Sequence, residues 1–354
     1  MEKFRIGMFS RGRCDRMKKY IALICLLLIL SLTSCSDQNS NVEKTTDNTI
    51  PSQQIQNTEE TKNSEYTEKI TENSESDVVE KVNPINTMEK LSDVDGVVSV
   101  TKQTFSRQIN GAVAYKVLYE SENGKLDADV VLPRDYTNDS KKYTVLIYFP
   151  QIRMSIEELA SNYALNGIIL ICPYARGYGY SEGTRDLGGE KDLADSQKLL
   201  KIFDSANFIE NSKIFVAGSS EGSVNALRLF AEDSEKRISG CAVIDVISDL
   251  PAFAEFRGQG IKDLLTNLIG KTYEEAPDEY DKRSAVNFSE KLDRPILMLH
   301  YLKSPLFSVE QTNALYDLVK VTNNESTYYK IDEFSGDFQG EGLQRLLSFI
   351  NKYD

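Results

Sequence analysis

Residues 213–231, KIFVAGSSEGSVNALRLFA, constrain this chain more than any other stretch. A short apolar run from Ile214 to Ala217 leads into Gly218-Ser219-Ser220-Glu221-Gly222, and Val224, Leu227 and Ala231 follow at helical spacing. Strand, tight turn and helix with G-x-S-x-G in the turn is the context of a nucleophile elbow. Gly218 and Gly222 flank a bend so sharp that a side chain at either place would collide with the neighbouring strand or helix. The bend lifts Ser220 above the sheet and aims the backbone amide of Glu221 at the place where an oxyanion would form. The Glu221 carboxylate has a plainer reading, as a negative charge at a helix start where the dipole favours it.

The flanking sequence supplies a sheet for this elbow. Strands are predicted at residues 97–109, 112–119 and 126–132, the last after the turn at Asn123-Gly124. The continuous apolar run YTVLIYF at 143–149 suits a strand covered on both faces. A helix at 155–166 starts with a capping box, Ser155 and Glu158, and stops at Gly167. A strand at 168–172 and a helix at 190–208, with Leu193, Leu200 and Phe203 on one face, precede the elbow. Beyond it come a strand at 240–244, an irregular helical stretch at 251–288 and a strand at 295–300. A helix at 309–321, a strand at 327–331 and a helix at 340–353 close the chain. Such alternation implies an α/β fold with a doubly wound, mostly parallel sheet of about eight strands. Ligand chemistry belongs at the carboxyl ends of those strands.

Of the 354 residues, 40% are hydrophobic and 27% charged, which suits an enzyme-sized domain plus additional segments. The net charge of −13 argues against nucleic acid as a partner, because phosphate binding needs a basic surface. Residues 1–35 read as a targeting segment. Met17-Lys18-Lys19 opens a basic region, and IALICLLLIL at 21–30 is an apolar core shorter than the ~20 residues of a membrane span. Either Met1 or Met17 is the start. Leu32-Thr33-Ser34-Cys35 resembles the lipobox of bacterial lipoproteins, which implies lipidation of Cys35, attachment to a membrane through that lipid and an extracytoplasmic location. Residues 36–89, rich in Ser, Thr, Asn, Gln, Glu and Lys, read as a disordered tether, leaving 90–354 as the folded domain. Cys172 and Cys241 lie in apolar runs and read as small buried residues, so neither a metal nor a cofactor is expected.

Four stretches carry a resemblance that covers residues 112–354. They are Arg176-Gly177-Tyr178-Gly179-Tyr180-Ser181-Glu182-Gly183, the elbow, Arg283-Ser284-Ala285 leading to Arg294-Pro295-Ile296-Leu297, and Leu299-His300 followed by Glu310-Gln311. Together they resemble the α/β-hydrolase fold, in particular the catalytic domain of the prolyl oligopeptidase family and its dienelactone-hydrolase-like relatives. The resemblance implies a serine peptidase or esterase in which Ser attacks, His takes its proton and Asp orients the His. This chain departs from that pattern three times. Ser304 occupies the acid's position after His300, and Gly336, in Phe334-Ser335-Gly336-Asp337-Phe338, falls where the His belongs. Pro150, which has no amide hydrogen, stands in the turn that carries the second oxyanion donor.

His300 is the single histidine of the chain and either fills a structural role at a strand end or serves as the base. Lys303 is a second candidate base, while Asp245 and Asp249 offer only weak ones. Asp337 reads as a turn cap and Arg176 as an ion-pair partner or a substrate contact. Phe253, Phe256, Tyr273 and Tyr280 either line a pocket or pack a lid onto the body. Loss of one triad member costs on the order of 10⁴ to 10⁶ in kcat. The expectation is therefore a degenerate (pseudo) serine hydrolase on a lipid anchor, acting by binding a peptide, an ester, a cell-wall fragment or a partner protein. The site comprises Ser220 at the nucleophile position and the Glu221 amide as oxyanion donor. An active serine peptidase or esterase using His300 or Lys303 is the alternative enzyme, and an adhesion or solute-capture lipoprotein the non-enzymatic one.

Overall fold

A computed structural model describes residues 85–122 and 124–354. The targeting segment, Cys35 and its lipobox, the tether as far as residue 84, and Asn123 of the expected turn lie outside them. Nine strands form one sheet: β1 (Val97–Gln103), β2 (Ala112–Ser121), β3 (Gly124–Pro133), β4 (Tyr143–Phe149), β5 (Ile169–Pro173), β6 (Ile209–Ser219), β7 (Ile238–Ile244), β8 (Ile296–Tyr301) and β9 (Thr327–Ile331). Their order is β1-β2-β3-β5-β4-β6-β7-β8-β9. Pairing is antiparallel from β1 to β5 and parallel from β5 to β9.

Among the described residues, eight α-helices accompany this sheet: α1 (Ile156–Asn162), α2 (Glu190–Phe203), α3 (Gly222–Ala231), α4 (Leu250–Arg257), α5 (Gln259–Ile269), α6 (Pro277–Asp281), α7 (Val309–Thr322) and α8 (Gly340–Tyr353). The alternation of β4 shows how two cores arise from one strand. Val145, Ile147 and Phe149 pack with Leu199 of α2, Leu227 of α3 and Leu315 of α7. Leu146 and Tyr148 face the other way, with Leu159 of α1 and Leu346 and Phe349 of α8. Both faces are buried, so every residue of β4 is apolar or aromatic except Thr144.

Strand β4 lies between β5 and β6, while the chain visits β4, β5 and β6 in turn. The connection leaving β4 runs to one side and that leaving β6 to the other, which opens a crevice at the carboxyl ends of β4 and β6. Phe149 pairs with Gly218, Ser219 with Ile244, and Ile244 with Leu299. The ends of four strands thus stand in one row beside the elbow.

Several boundaries move. The helix expected to reach residue 208 stops at Phe203, because β6 begins at Ile209 rather than at Ile214. The strand expected to run to 109 stops at Gln103. Ile85 bridges to Ala206, and Met88 and Leu91 are fully buried, so the packed body starts ahead of Lys90. Within 251–288, Asp249 caps α4 by accepting a hydrogen bond from Ala252 N at 2.9 Å. Phe253 stacks on Phe307 at 5.8 Å between centroids, and Tyr280 donates to the Lys271 carbonyl at 2.9 Å. Those two aromatics pack the lid, Tyr273 is partly exposed with its ring edge-on to Tyr280 at 5.5 Å between centroids, and Phe256 faces solvent. Cys172 and Cys241 are buried free thiols, and burial pushes both upward in pKa.

Candidate active site

The elbow is as tight as its glycines require. A β-carbon at Gly218 would lie 2.3 Å from the Gly222 carbonyl oxygen, and one at Gly222 would lie 2.0 Å from that of Phe149. Ser220 itself has φ +53°, a left-handed conformation that costs a non-glycine residue about 1–2 kcal/mol. The strain is held from both sides. Ser220 N donates to the Ile244 carbonyl at 3.0 Å, and the Ser220 carbonyl accepts from Ser223 N at 3.1 Å and from the Ser223 hydroxyl. Ser223 Oγ in turn accepts from Ile247 N at 3.1 Å, tying α3 to the segment after β7.

Ser220 is 1% exposed, and its Oγ is buried without a hydrogen-bond partner. Among the described residues, no side chain that could act as a base hydrogen-bonds this hydroxyl. The amide of Glu221 sits at the start of α3, where helix N–H groups lack intrahelical partners. The Glu221 carboxylate is bound by the Arg185 guanidinium, which stacks 5.0 Å from the Tyr178 ring. On the opposite side Pro150 offers no donor. The next amide, Gln151 N, is committed to Ser219 Oγ at 3.1 Å, and that hydroxyl also lies 3.1 Å from Tyr148 Oη.

One residue past the pairs Ser219–Ile244–Leu299, the strand register aligns Ser220, Asp245 and His300, with Asp245 in the middle. Asp245 is also left-handed, with φ +49°. Its Oδ1 accepts from Tyr301 N at 2.9 Å and lies 3.3 Å from His300 Nδ1. His300 Nδ1 is 3.4 Å from Thr312 Oγ1 as well. Burial pushes the Asp245 carboxyl up to about 7 and holds the imidazole below its usual value. Burial disfavours the charged form of both groups, so this 3.3 Å contact is not one between two full charges. It packs β7, β8 and α7 together, as a structural histidine would.

The remaining candidates are accounted for one by one. Lys303 Nζ is exposed and bonds the Asp332 carbonyl at 2.8 Å, with the Asp332 carboxylate 3.2 Å away. Asp249 is spent on its cap. Asp337 is buried and accepts from Phe338 N at 2.7 Å, and burial pushes it up to about 7. Arg176 pairs with Asp195 at 2.8 Å and donates to Ser121 Oγ at 2.7 Å, both inside the fold. Ser304 stands beside the Asp245 carboxyl and lowers its pKa, against the larger upward push of burial. A β-carbon at Gly336 would meet only Gln151 Oε1, at 4.0 Å. The segment after β9 thus reaches the turn after β4, bringing no side chain from residue 336.

Sequence reading missed three features. The Asp245–His300 contact was recoverable by counting register from the strand ends. The Arg185–Glu221 pair and the Arg153 bridge to Asp127 (2.8 Å) and Asp129 (2.9 Å) join residues 24 or more positions apart, with no local signal. A cleft of about 50 Å³ opens beside the elbow, with Gln151, Arg153, Tyr174, Tyr178, Glu221 and Asn225 among its walls. Among the described residues, no group of three or more His, Cys, Asp or Glu side chains is placed to hold a metal ion.

A nine-stranded, mostly parallel sheet with helices on both faces and a Gly-flanked serine elbow at its switch point is the α/β-hydrolase fold. No family model matches the chain. Its sequence is 24% identical over 191 residues to the uncharacterized peptidase YtmA of Bacillus subtilis (strain 168), covering 54% of this chain and 73% of that protein. Among solved structures, an acetyl xylan esterase from Paenibacillus sp. R4 superposes with a TM-score of 0.61 at 15% identity, covering 75% of this chain and 92% of that one. Porphyromonas gingivalis dipeptidyl peptidase 4 superposes with a TM-score of 0.56 at 14% identity over 69% of this chain, which spans only 36% of that longer enzyme. The relatives are thus peptidases and esterases of the α/β-hydrolase type, and the structural likeness is one of fold.

Proposed function

We propose that this protein is a lipid-anchored, extracytoplasmic member of the α/β-hydrolase fold that acts by binding, a serine hydrolase scaffold without its proton relay. The observation that carries this reading is the Ser220 hydroxyl, buried and unpartnered, while the chain's single imidazole is engaged by Asp245 and Thr312. An unassisted serine hydroxyl is a poor nucleophile, and absence of the base alone costs on the order of 10⁴ to 10⁶ in kcat. The second oxyanion donor is also missing, for Pro150 has no N–H and Gln151 N is used by Ser219. The lipobox sequence ending at Cys35 supports the anchor and the location. The ligand would be a peptide, an ester or a cell-wall fragment in the cleft at the carboxyl ends of β4 and β6.

A second reading has one observation in its favour. Ser220 keeps a left-handed backbone and a side chain where glycine would relieve the strain, as a working nucleophile does. In that reading the protein is a serine peptidase or esterase with a non-standard base. Incubating the full chain with a fluorophosphonate probe decides between them. The expected result is no labelling above that of Ser220→Ala; labelling of the parent that vanishes in Ser220→Ala overturns the binding-only reading.

A further inference from the structure

The two edges of the sheet are finished differently. On β1 a register shift between Val97 and Ser99 interrupts the ladder, and a bulge of this kind discourages further pairing. Strand β9 carries no such break, and its five residues pair with β8 in unbroken register from Leu297–Thr327 to Tyr301–Ile331. One bond fixes which way its backbone points. The Ile331 carbonyl accepts from Leu302 N at 2.9 Å, so the backbone groups of Ile331 face β8. By alternation those of Tyr329 and Thr327 face β8 as well. The N–H and C=O of Tyr328 and Lys330 therefore point away from the sheet. Among the described residues, no hydrogen bond reaches these four groups.

The side chains of this edge alternate too. Tyr328 and Lys330 lie on the α7 side, where the Tyr328 ring meets Tyr316 at 5.4 Å between centroids. Lys330 Nζ lies 5.4 Å from that same Tyr328 ring. Tyr329 lies on the α8 side, 39% exposed, with the Arg345 guanidinium 3.8 Å from its ring and Glu341 pairing the arginine. Beside it a groove of about 550 Å³ separates β9 from α8, with Thr327, Tyr329, Arg345 and Ser348 among its walls. The edge thus combines unused strand valences with a half-exposed aromatic ring.

From this arrangement we infer that β9 is an interface with a second copy of this chain, the two β9 strands pairing antiparallel about a two-fold axis at Tyr329. In that register Tyr328 stands opposite Lys330 of the other copy, twice by symmetry, and each such pair exchanges two hydrogen bonds. All four outward groups of each copy are then satisfied. A slide of one residue sets outward groups opposite inward ones and loses the match. The two Tyr329 side chains face each other across the axis as a non-hydrogen-bonded pair, the closest cross-strand geometry and one that favours aromatic rings. Lys330 is the only charge in residues 327–331, and it meets a Tyr328 ring rather than another lysine. The segment is its own complement, because backbone groups, rings and cation each find a partner within the same five residues. An isologous contact of this kind closes at two copies. It is independent of whether Ser220 reacts.

Sedimentation velocity of the full chain in dodecyl maltoside, from about 1 to about 200 µM, tests this. The interface is small, so the parent should dimerise with a dissociation constant on the order of 10–100 µM. Lys330→Pro removes an outward N–H from each copy and should weaken the dimer at least about tenfold. Lys330→Ala keeps that N–H and should change it less than about threefold. The Lys330 side chain is exposed, and far-UV circular dichroism checks that both variants stay folded. A second measurement reads the register. In a chain whose Cys14, Cys25 and Cys35 are replaced by serine, mild oxidation should link Tyr329→Cys into a disulfide dimer, while Lys330→Cys, off the axis, should link far more slowly. A parent that stays monomeric at the highest concentration overturns the inference and leaves the edge to another occupant, residues 36–84 of the same chain or a foreign strand. A dimer untouched by Lys330→Pro, or Lys330→Cys linking as readily as Tyr329→Cys, overturns it as well.

Discussion

Asp337 illustrates how a single buried group ties this fold to pH. Its carboxyl is nine-tenths or more enclosed, and its one hydrogen bond comes from the neighbouring Phe338 amide. Burial pushes it up to about 7. A folded-state pKa above the unfolded value of about 3.9 means that the folded chain holds a proton that the unfolded chain has released. The group's contribution is therefore fully present below about pH 3.9 and is lost progressively as pH rises from there through about 7. Asp337→Asn keeps the Oδ1 acceptor and removes the charge. Its melting temperature should equal the parent's below about pH 3.9 and exceed it at pH 8, measured by circular dichroism. A variant no more stable than the parent at pH 8 would show that Asp337 is charged and satisfied there.

At the scale of elements, the apolar runs of β4, β5, β7 and β8 and the Ser155 cap were legible because each is a local pattern. The elbow was legible for the same reason, since two backbone collisions dictate its glycines. What stayed hidden depends on partners distant in sequence. Ile85 and Met88 sit among polar residues and give no periodic signal, yet Ile85 bridges to Ala206 and Met88 N binds Tyr136 Oη at 3.2 Å. Glu89 reinforces the same corner by accepting from Tyr115 Oη at 2.6 Å. Fully burying such a side chain contributes roughly 1.5–3 kcal/mol, so a chain that begins at Lys90 should lose about 3–6 kcal/mol relative to the full chain. Urea unfolding of both forms measures the difference. Coincident midpoints would mean that this corner adds nothing to the core.

The catalytic constellation of a hydrolase of this fold belongs to the whole molecule, because the nucleophile, acid, base and oxyanion donors come from four separate connections. Under the binding-only reading proposed above, the fold keeps the meeting place and changes what arrives there. The loop after β9 still reaches the turn after β4, where Gly336 faces Gln151 with room for a side chain. Gly336→His should therefore introduce an imidazole without disturbing the fold. An acid is already near: Asp245, fixed by Tyr301 N and beside Ser304, occupies the end of β7 next to the elbow in register. Adding Ser304→Asp would press a second carboxyl against the first, raising the pair's affinity for a proton rather than improving the base. The single substitution should thus gain fluorophosphonate labelling and slow p-nitrophenyl acetate hydrolysis that depends on Ser220, and the double substitution should do no better. The gain stays small because Gln151 N remains bound to Ser219, and one absent oxyanion donor costs about 10²–10³ in kcat. A double variant that far outpaces the single one would mean that Asp245 is locked into its contact with His300 and that position 304 is where the acid must stand.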